Sequence, residues 1–251
     1  MSGASRGEPA GARGSRSRGG GGAEALGEAA GAGSSGGPAA PARPPLPIAV
    51  LASGAGTNLQ ALLDTVHGRE AEVVAVASDN PGAAALERAR ARGVATAVFA
   101  RADHADRAQR DAAMASWIAE RGARLVVLAG YMQLLSPGFL ARFPDAVINV
   151  HPALLPAFPG IGAIAQAVDY GCKVFGVTVH LVDEGVDTGP IILQAAIDLP
   201  DATDAEAVHA ALRPLEHRLL PEAVRLFAAG SLRRDPANRR RILLTRPAGA
   251  S

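Results

Sequence analysis

The sequence predicts an α/β protein built on a doubly wound, mostly parallel central sheet with helices on both faces. Three observations carry that expectation. Short apolar runs alternate with stretches of helical spacing from Ile48 onward. The run Leu125–Ala129 is apolar throughout, as a strand covered on both faces must be. The first apolar run turns at once into a Gly-rich loop that opens a helix.

Taken in order, Pro44, Pro45 and Pro47 mark the entry to this unit, because proline suits neither a helix interior nor a central ladder. Ile48–Ala52 reads as strand, residues 53–58 as turn and Leu59–Val66 as helix. Val73–Ala77 and Thr96–Phe99 read as strands around a helix over Ala83–Arg92, and Asp106–Arg121 has helical spacing. Ser136 followed by Pro137 is an N-cap and first-turn proline, which predicts a short helix to about Arg142. Ala146–Val150 is a buried strand, and a helix near Ala163–Tyr170 follows. Two long β-type stretches come next, Lys173–Val182 and Pro190–Leu199. Thr203 and Glu206 have capping-box spacing and open a helix from Asp204 to about Phe227, kinked at Pro214, with Gly230 near its end.

Residues 1–46 have a different composition. They hold 13 of the chain's 29 glycines and no Val, Ile, Phe, Tyr or Trp. Such a segment buries too little apolar surface to offset its ordering entropy, so it is expected to be a disordered arm. Residues 47–230 are then one catalytic-sized domain, and 231–251 an Arg-rich C-terminal tail. Outside the arm, 20 basic residues face 21 acidic ones, which does not suit a protein gripping nucleic acid through phosphates. The run Arg239, Arg240 and Arg241 reads as a solvated terminal segment. Cys172 is alone, so there is no disulfide framework or Cys-rich metal site. A lone cysteine suits a reducing cytoplasm, residues 1–46 lack the apolar stretch of a secretory signal, and no apolar run is long enough to span a bilayer. A cytoplasmic protein with no membrane or nucleic-acid partner is therefore expected. Import is the minor alternative, since the arm is Arg- and Ser-bearing but Glu8, Glu24 and Glu28 do not suit a transit helix.

Three polar clusters fall at strand ends, where open α/β sheets place their sites. The first is Gly54, Ala55, Gly56, Thr57 and Asn58, a loop whose N–H groups and helix start suit an anion; its spacing is neither the Rossmann nor the Walker pattern. A tight strand-to-helix turn explains it equally well. The second is Asn149 with His151, two apart at the end of a strand and so on one face. An amide donor beside an imidazole suits acyl transfer, where one group stabilises an oxyanion and the other handles charge or protons. The third is Asp187 in the turn before a strand, with His180 either bonded to backbone or orienting that carboxylate. No nucleophile elbow and no H-E-x-x-H metal motif is present.

Together these residues resemble the 10-formyltetrahydrofolate-dependent formyltransferases over roughly Pro47 to Phe227, most of all the branch that formylates the amine of a ribose-phosphate glycinamide. The matching strings are Ala52–Gln60, Leu128–Met132, Asn149–Pro156, Gly176–His180 and Val186–Pro190. The resemblance implies a sheet with an antiparallel C-terminal extension, and 10-formyltetrahydrofolate as formyl donor with no metal. It implies small-molecule substrates and a monomer or homodimer. It implies that Asn149, His151 and Asp187 are catalytic, with His180 supporting Asp187. Gly54, Ala55, Gly56, Thr57 and Asn58 would take the phosphate and Glu216 the sugar–amine substrate. Met132, Gln133, Leu134 and Leu135, together with Asn149 and Val182, Asp183, Glu184, Gly185, Val186 and Asp187, would clasp the folate, and Arg107 would meet it.

Two departures stand out, Gln133 where an Arg is common and Gly162 where a His is frequent. The deformylase and tRNA-formylating branches and a non-catalytic nucleotide-binding module are the alternatives. The former two carry, respectively, a folded N-terminal regulatory domain and a C-terminal RNA-binding domain.

Overall fold

The computed structural model describes residues 43–245, so the arm expected over 1–46 lies outside the described residues up to Ala42. The chain enters β1 (Leu46–Leu51) and continues through α1 (Thr57–Thr65), β2 (Ala71–Ser78), α2 (Ala84–Arg90) and β3 (Ala95–Val98). A 3₁₀ turn (Arg101–Asp103) leads to α3 (Arg107–Glu120), β4 (Leu125–Leu128), α4 (Pro137–Arg142) and β5 (Val147–His151). Then come α5 (Ala163–Tyr170), β6 (Val174–Leu181), β7 (Ile191–Asp198), α6 (Ala205–Ala228), β8 (Leu232–Asp235) and β9 (Asn238–Leu244).

These strands form one nine-stranded sheet in the order β3-β2-β1-β4-β5-β6-β7-β9-β8. From β3 to β5 every pairing is parallel, whereas β6 runs antiparallel to both β5 and β7. The order reverses beside β1, and the ends of β1 and β4 lie next to each other there. Residue parity in β1 shows how both faces are covered. Ile48 and Val50 pack with Leu59 and Leu62 of α1, Leu86 of α2 and Leu212 and Leu220 of α6. Ala49 and Leu51 face the other way, toward Met114 and Ile118 of α3 and Phe139 of α4.

Three local expectations are corrected. Pro47 lies inside β1 rather than before it; pairing with β4 begins one residue later at Ile48, and Pro47 contributes only its carbonyl, which accepts from the Arg124 N–H. The N-cap of α6 is Asp204, not Thr203: its carboxylate accepts from the N–H groups of Glu206 and Ala207 at 3.1 Å. That helix runs through both Pro214 and Pro221 as one 24-residue element. The Arg-rich segment expected as a solvated tail forms the β8–β9 hairpin up to Leu244. Arg234 ties the hairpin to Asp145, Arg241 pairs with Asp235 within the hairpin, and Arg239, Arg240 and Arg241 are exposed as expected.

Candidate active site

Strand β5 delivers Asn149 and His151 to one face, and the loop after β6 brings Asp187 up to both. The His151 Nδ1 lies 3.3 Å from Asp187 Oδ2, and Asn149 Nδ2 lies 3.4 Å from Asp187 Oδ1. Because β5 and β6 pair Asn149 with His180, the second imidazole falls beside the first two groups. Its Nε2 is 3.2 Å from Asn149 Nδ2 and 3.5 Å from Asp187 Oδ1, while its Nδ1 donates to the Leu181 carbonyl at 2.8 Å. His180 therefore meets both readings of it at once, backbone-bonded on one nitrogen and facing Asp187 with the other.

The loop around Asp187 is unusual in its backbone. Asp187 has φ 53°, a left-handed conformation that Asp tolerates better than most residues. A Cβ on the nearby Gly189 would stand 1.7 Å from the Leu181 carbonyl oxygen, so only glycine fits there. The Gly160 N–H donates to Asp187 Oδ2 at 2.7 Å from the turn that follows β5. Partial burial pushes the Asp187 carboxyl up. The hydrogen bond with His180, the Gly160 N–H and the charge of the two imidazoles outweigh it and hold the group down at about 2.

His151 is buried, and both of its ring nitrogens face oxygen. Opposite the Asp187 contact, Nε2 meets the Phe158 carbonyl at 2.8 Å. The Phe158 carbonyl can only accept, so Nε2 carries a proton toward it and Nδ1 is the nitrogen turned to Asp187.

The loop Gly54–Asn58 is made of backbone. Gly56 caps α1 at φ 70° with no side-chain cap, leaving the first N–H groups of the helix open. A Cβ on Gly56 would sit 2.7 Å from the Ala85 Cα, so the turn is packed to the limit. Behind it, the buried Asn58 donates to Glu216 Oε2 of α6 at 2.9 Å, and its own Oδ1 has no partner. Helix α6 thus brings Glu216 to the Gly54–Asn58 side of the sheet.

Beyond the end of β4 lies a cleft of about 740 Å³ lined by Arg107, Met132, Gln133 and Leu134 with Arg101, His104 and Arg110. It brings together Arg107 and the segment Met132–Leu134, though Leu135 packs instead against the Met114–Phe139 side of the core, as does Val182. Asp183 is tied within its own loop, accepting from Thr188 Oγ1 at 2.6 Å and from the Gly185 N–H at 3.2 Å. Val186 is exposed beside Gly160.

Several contributors carry no motif. Arg110 and Asp111 form a buried ion pair at 2.7 Å, and Asp111 also accepts from the Ser136 N–H at 2.6 Å, fixing the end of the Met132–Leu135 segment. Their signal was available: residues 110, 111, 114, 115 and 118 share the buried face of α3, and two charges on such a face demand partners. Ser53 stands in the matching string Ala52–Gln60, but nothing in the sequence pairs it with Asp79, to which it is hydrogen-bonded at the ends of β1 and β2.

Over residues 46–224 the sequence matches the formyl transferase family. The chain belongs to the formyl transferase family. This formyl transferase is 46% identical over 192 residues to the phosphoribosylglycinamide formyltransferase of Mycobacterium tuberculosis, covering 76% of this chain and 87% of that one. It is 37% identical over 188 residues to the enzyme of the same name from Haemophilus influenzae, covering 74% and 89%. Among solved structures, glycinamide ribonucleotide transformylase 1 from Symbiobacterium toebii superposes with TM-score 0.76 at 44% identity, covering 80% of this chain and 94% of that one. The family uses 10-formyltetrahydrofolate as co-substrate. Among the described residues, no helix is long and apolar enough to cross a membrane.

Proposed function

We infer that this formyl transferase moves the formyl group of 10-formyltetrahydrofolate to the amine of 5-phosphoribosylglycinamide, yielding the N-formyl product and tetrahydrofolate in purine biosynthesis. The observation that carries the reading is the placement of Asn149 and His151 each within 3.4 Å of Asp187, on a strand separated only by β4 from the one that opens the glycine-built loop. The relatives of the same activity support it.

In this reading the catalytic domain is 47–230. The glycinamide nitrogen attacks the formyl carbon, a C–N bond forms, and the carbonyl oxygen takes negative charge. Asn149 and the His151 imidazolium stabilise that oxyanion. Asp187, ionised at neutral pH, keeps His151 charged and stands at the acceptor end of the path by which the amine loses its proton. Collapse of the intermediate breaks the bond to the folate nitrogen, which takes up a proton. His180 holds the far side of Asp187. No covalent enzyme intermediate is required, since a neutral amine is already a competent nucleophile and orientation supplies much of the rate.

Gly54–Asn58 would receive the substrate phosphate on open N–H groups, with Glu216 toward the sugar–amine portion. Met132–Leu135, the 182–187 loop and Arg107 would hold the folate. Gly162, where a His is frequent, has φ 76° and caps α5, a conformation that favours glycine.

Incubation with 10-formyltetrahydrofolate, with and without glycinamide ribonucleotide, tests the reading. Tetrahydrofolate release is expected only with the ribonucleotide; release without it would identify a hydrolase instead.

A further inference from the structure

The two proposed substrates sit on different loops, the phosphate on Gly54–Asn58 and the folate against Met132–Leu135. Their reacting atoms must meet within about 3–3.5 Å, so the distance between the loops bears directly on rate. Ser53 joins them with every polar group it has. Its N–H donates to the Gly130 carbonyl at 3.0 Å, and its carbonyl accepts from Asn80 Nδ2 at 3.2 Å. Its hydroxyl donates to Asp79 Oδ1 and accepts from the Met132 N–H at 3.0 Å.

A serine hydroxyl has one proton to give. The Asp79 carboxylate can only accept, so it takes that proton and leaves an oxygen lone pair for Met132. Asp79 thereby sets the direction of the hydroxyl, and the hydroxyl sets the position of the first residue of the folate segment. Three strand ends, those of β1, β2 and β4, meet on this one half-buried side chain.

We propose that Ser53, oriented by Asp79, is a positioning residue that fixes the register between the phosphate loop and the folate segment. It touches neither reacting atom. Its effect is therefore on the alignment of two bound substrates, not on the binding of either.

Kinetics and equilibrium binding on Ser53→Ala, Asp79→Ala and the double variant test this. In Ser53→Ala, kcat falls about 10-fold or more, while the Kd of each substrate measured alone stays within about 3-fold of wild type. Asp79→Ala moves kcat in the same direction, and the double variant is no slower than Ser53→Ala, because both act through one hydroxyl. A kcat within about 2-fold of wild type in both single variants overturns the proposal. So does a loss of binding to each substrate alone that matches the loss in kcat, which is what a merely collapsed loop would give. The proposal rests on the formyl-transfer reading, and the two failures are distinguishable. A wild-type enzyme inactive on the ribonucleotide removes that reading, whereas an active wild type with an indifferent Ser53→Ala removes only this one.

Discussion

The loop Gly54–Asn58 and the cluster around Asp187 lie at strand ends of the same sheet, yet one is built of backbone and the other of side-chain charge. The loop depends on absent atoms: Gly56 can carry no Cβ, because Ala85 already fills that space. The cluster depends on which atoms are present, two imidazoles, an amide and a backbone N–H converging on one carboxylate. The difference teaches where each is fragile. Isosteric exchange of a polar atom should silence the cluster and cost the fold only the charge's own share of stability, whereas one added methyl should damage the loop and the fold together.

Asp187→Asn is the most severe test on the first side. Asn tolerates the same left-handed backbone and keeps the side-chain shape, so what is lost is the charge and one of the two acceptor oxygens. We expect kcat to fall on the order of 10²-fold or more at saturating substrates, with KM values near wild type. Activity near wild type would remove Asp187 from the proton path. On the other side, Gly56→Ala forces a non-glycine residue to φ 70° and drives its Cβ into the Ala85 backbone. Chemical denaturation should show a loss of roughly 2 kcal/mol or more. The KM for the ribonucleotide should rise about 10-fold, with a smaller change for the folate, because the open N–H groups of α1 shift.

The charge of the cluster also has a pH signature, smaller than either of these. The folded pKa of Asp187, about 2, lies below its ordinary value of 3.8. Its contribution to stability is thus complete above about pH 4 and is lost as pH falls through about 2, since the unfolded chain takes up the proton first. Across that window wild type should lose about 2 kcal/mol more than Asp187→Asn, read from urea unfolding at successive pH values. Parallel curves for the two proteins would show that the imidazoles and the Gly160 N–H do not stabilise the charged form.

How far each region was legible in the sequence follows from the same contrast. Asn149 and His151 could be paired from spacing alone, because a strand repeats every two residues and both therefore share a face. Local glycines and the helix after them likewise exposed the loop Gly54–Asn58. Nothing local joins Asp187 to His151, 36 positions earlier; that contact comes from β5 pairing antiparallel with β6 and from the left-handed turn at Asp187, and here only the family resemblance supplied it. Ser53 and Asp79 meet through strand order in the same way. At Asp204, two adjacent residues both suited a cap, and the choice rested on which carboxylate or hydroxyl reached the N–H groups. The β8–β9 hairpin was hidden by composition: its arginines read as a solvated run, and only the strand pairing and the Arg234–Asp145 contact distinguish it from a free tail.

That hairpin supplies the smallest expected effect and the finest test of how self-contained the charged cluster is. Arg240, on β9 and beyond the segment shared with the family, donates to the Thr188 carbonyl at 2.8 Å, one residue from Asp187. Arg240 is exposed, so solvent weakens the bond, and Arg240→Ala should cost well under about 1 kcal/mol of stability. If the bond helps hold the left-handed turn, kcat should nevertheless drop about 2- to 5-fold with substrate KM values unchanged. Arg234→Ala, which loses the Asp145 anchor on the same hairpin but nothing next to Asp187, is the control and should lower stability more than turnover. Equal kinetics in the two variants would mean that His180, Gly160 and Gly189 hold the turn by themselves. A slower Arg240→Ala beside a normal Arg234→Ala would extend the cluster's support to β9, a strand beyond residues 46–224.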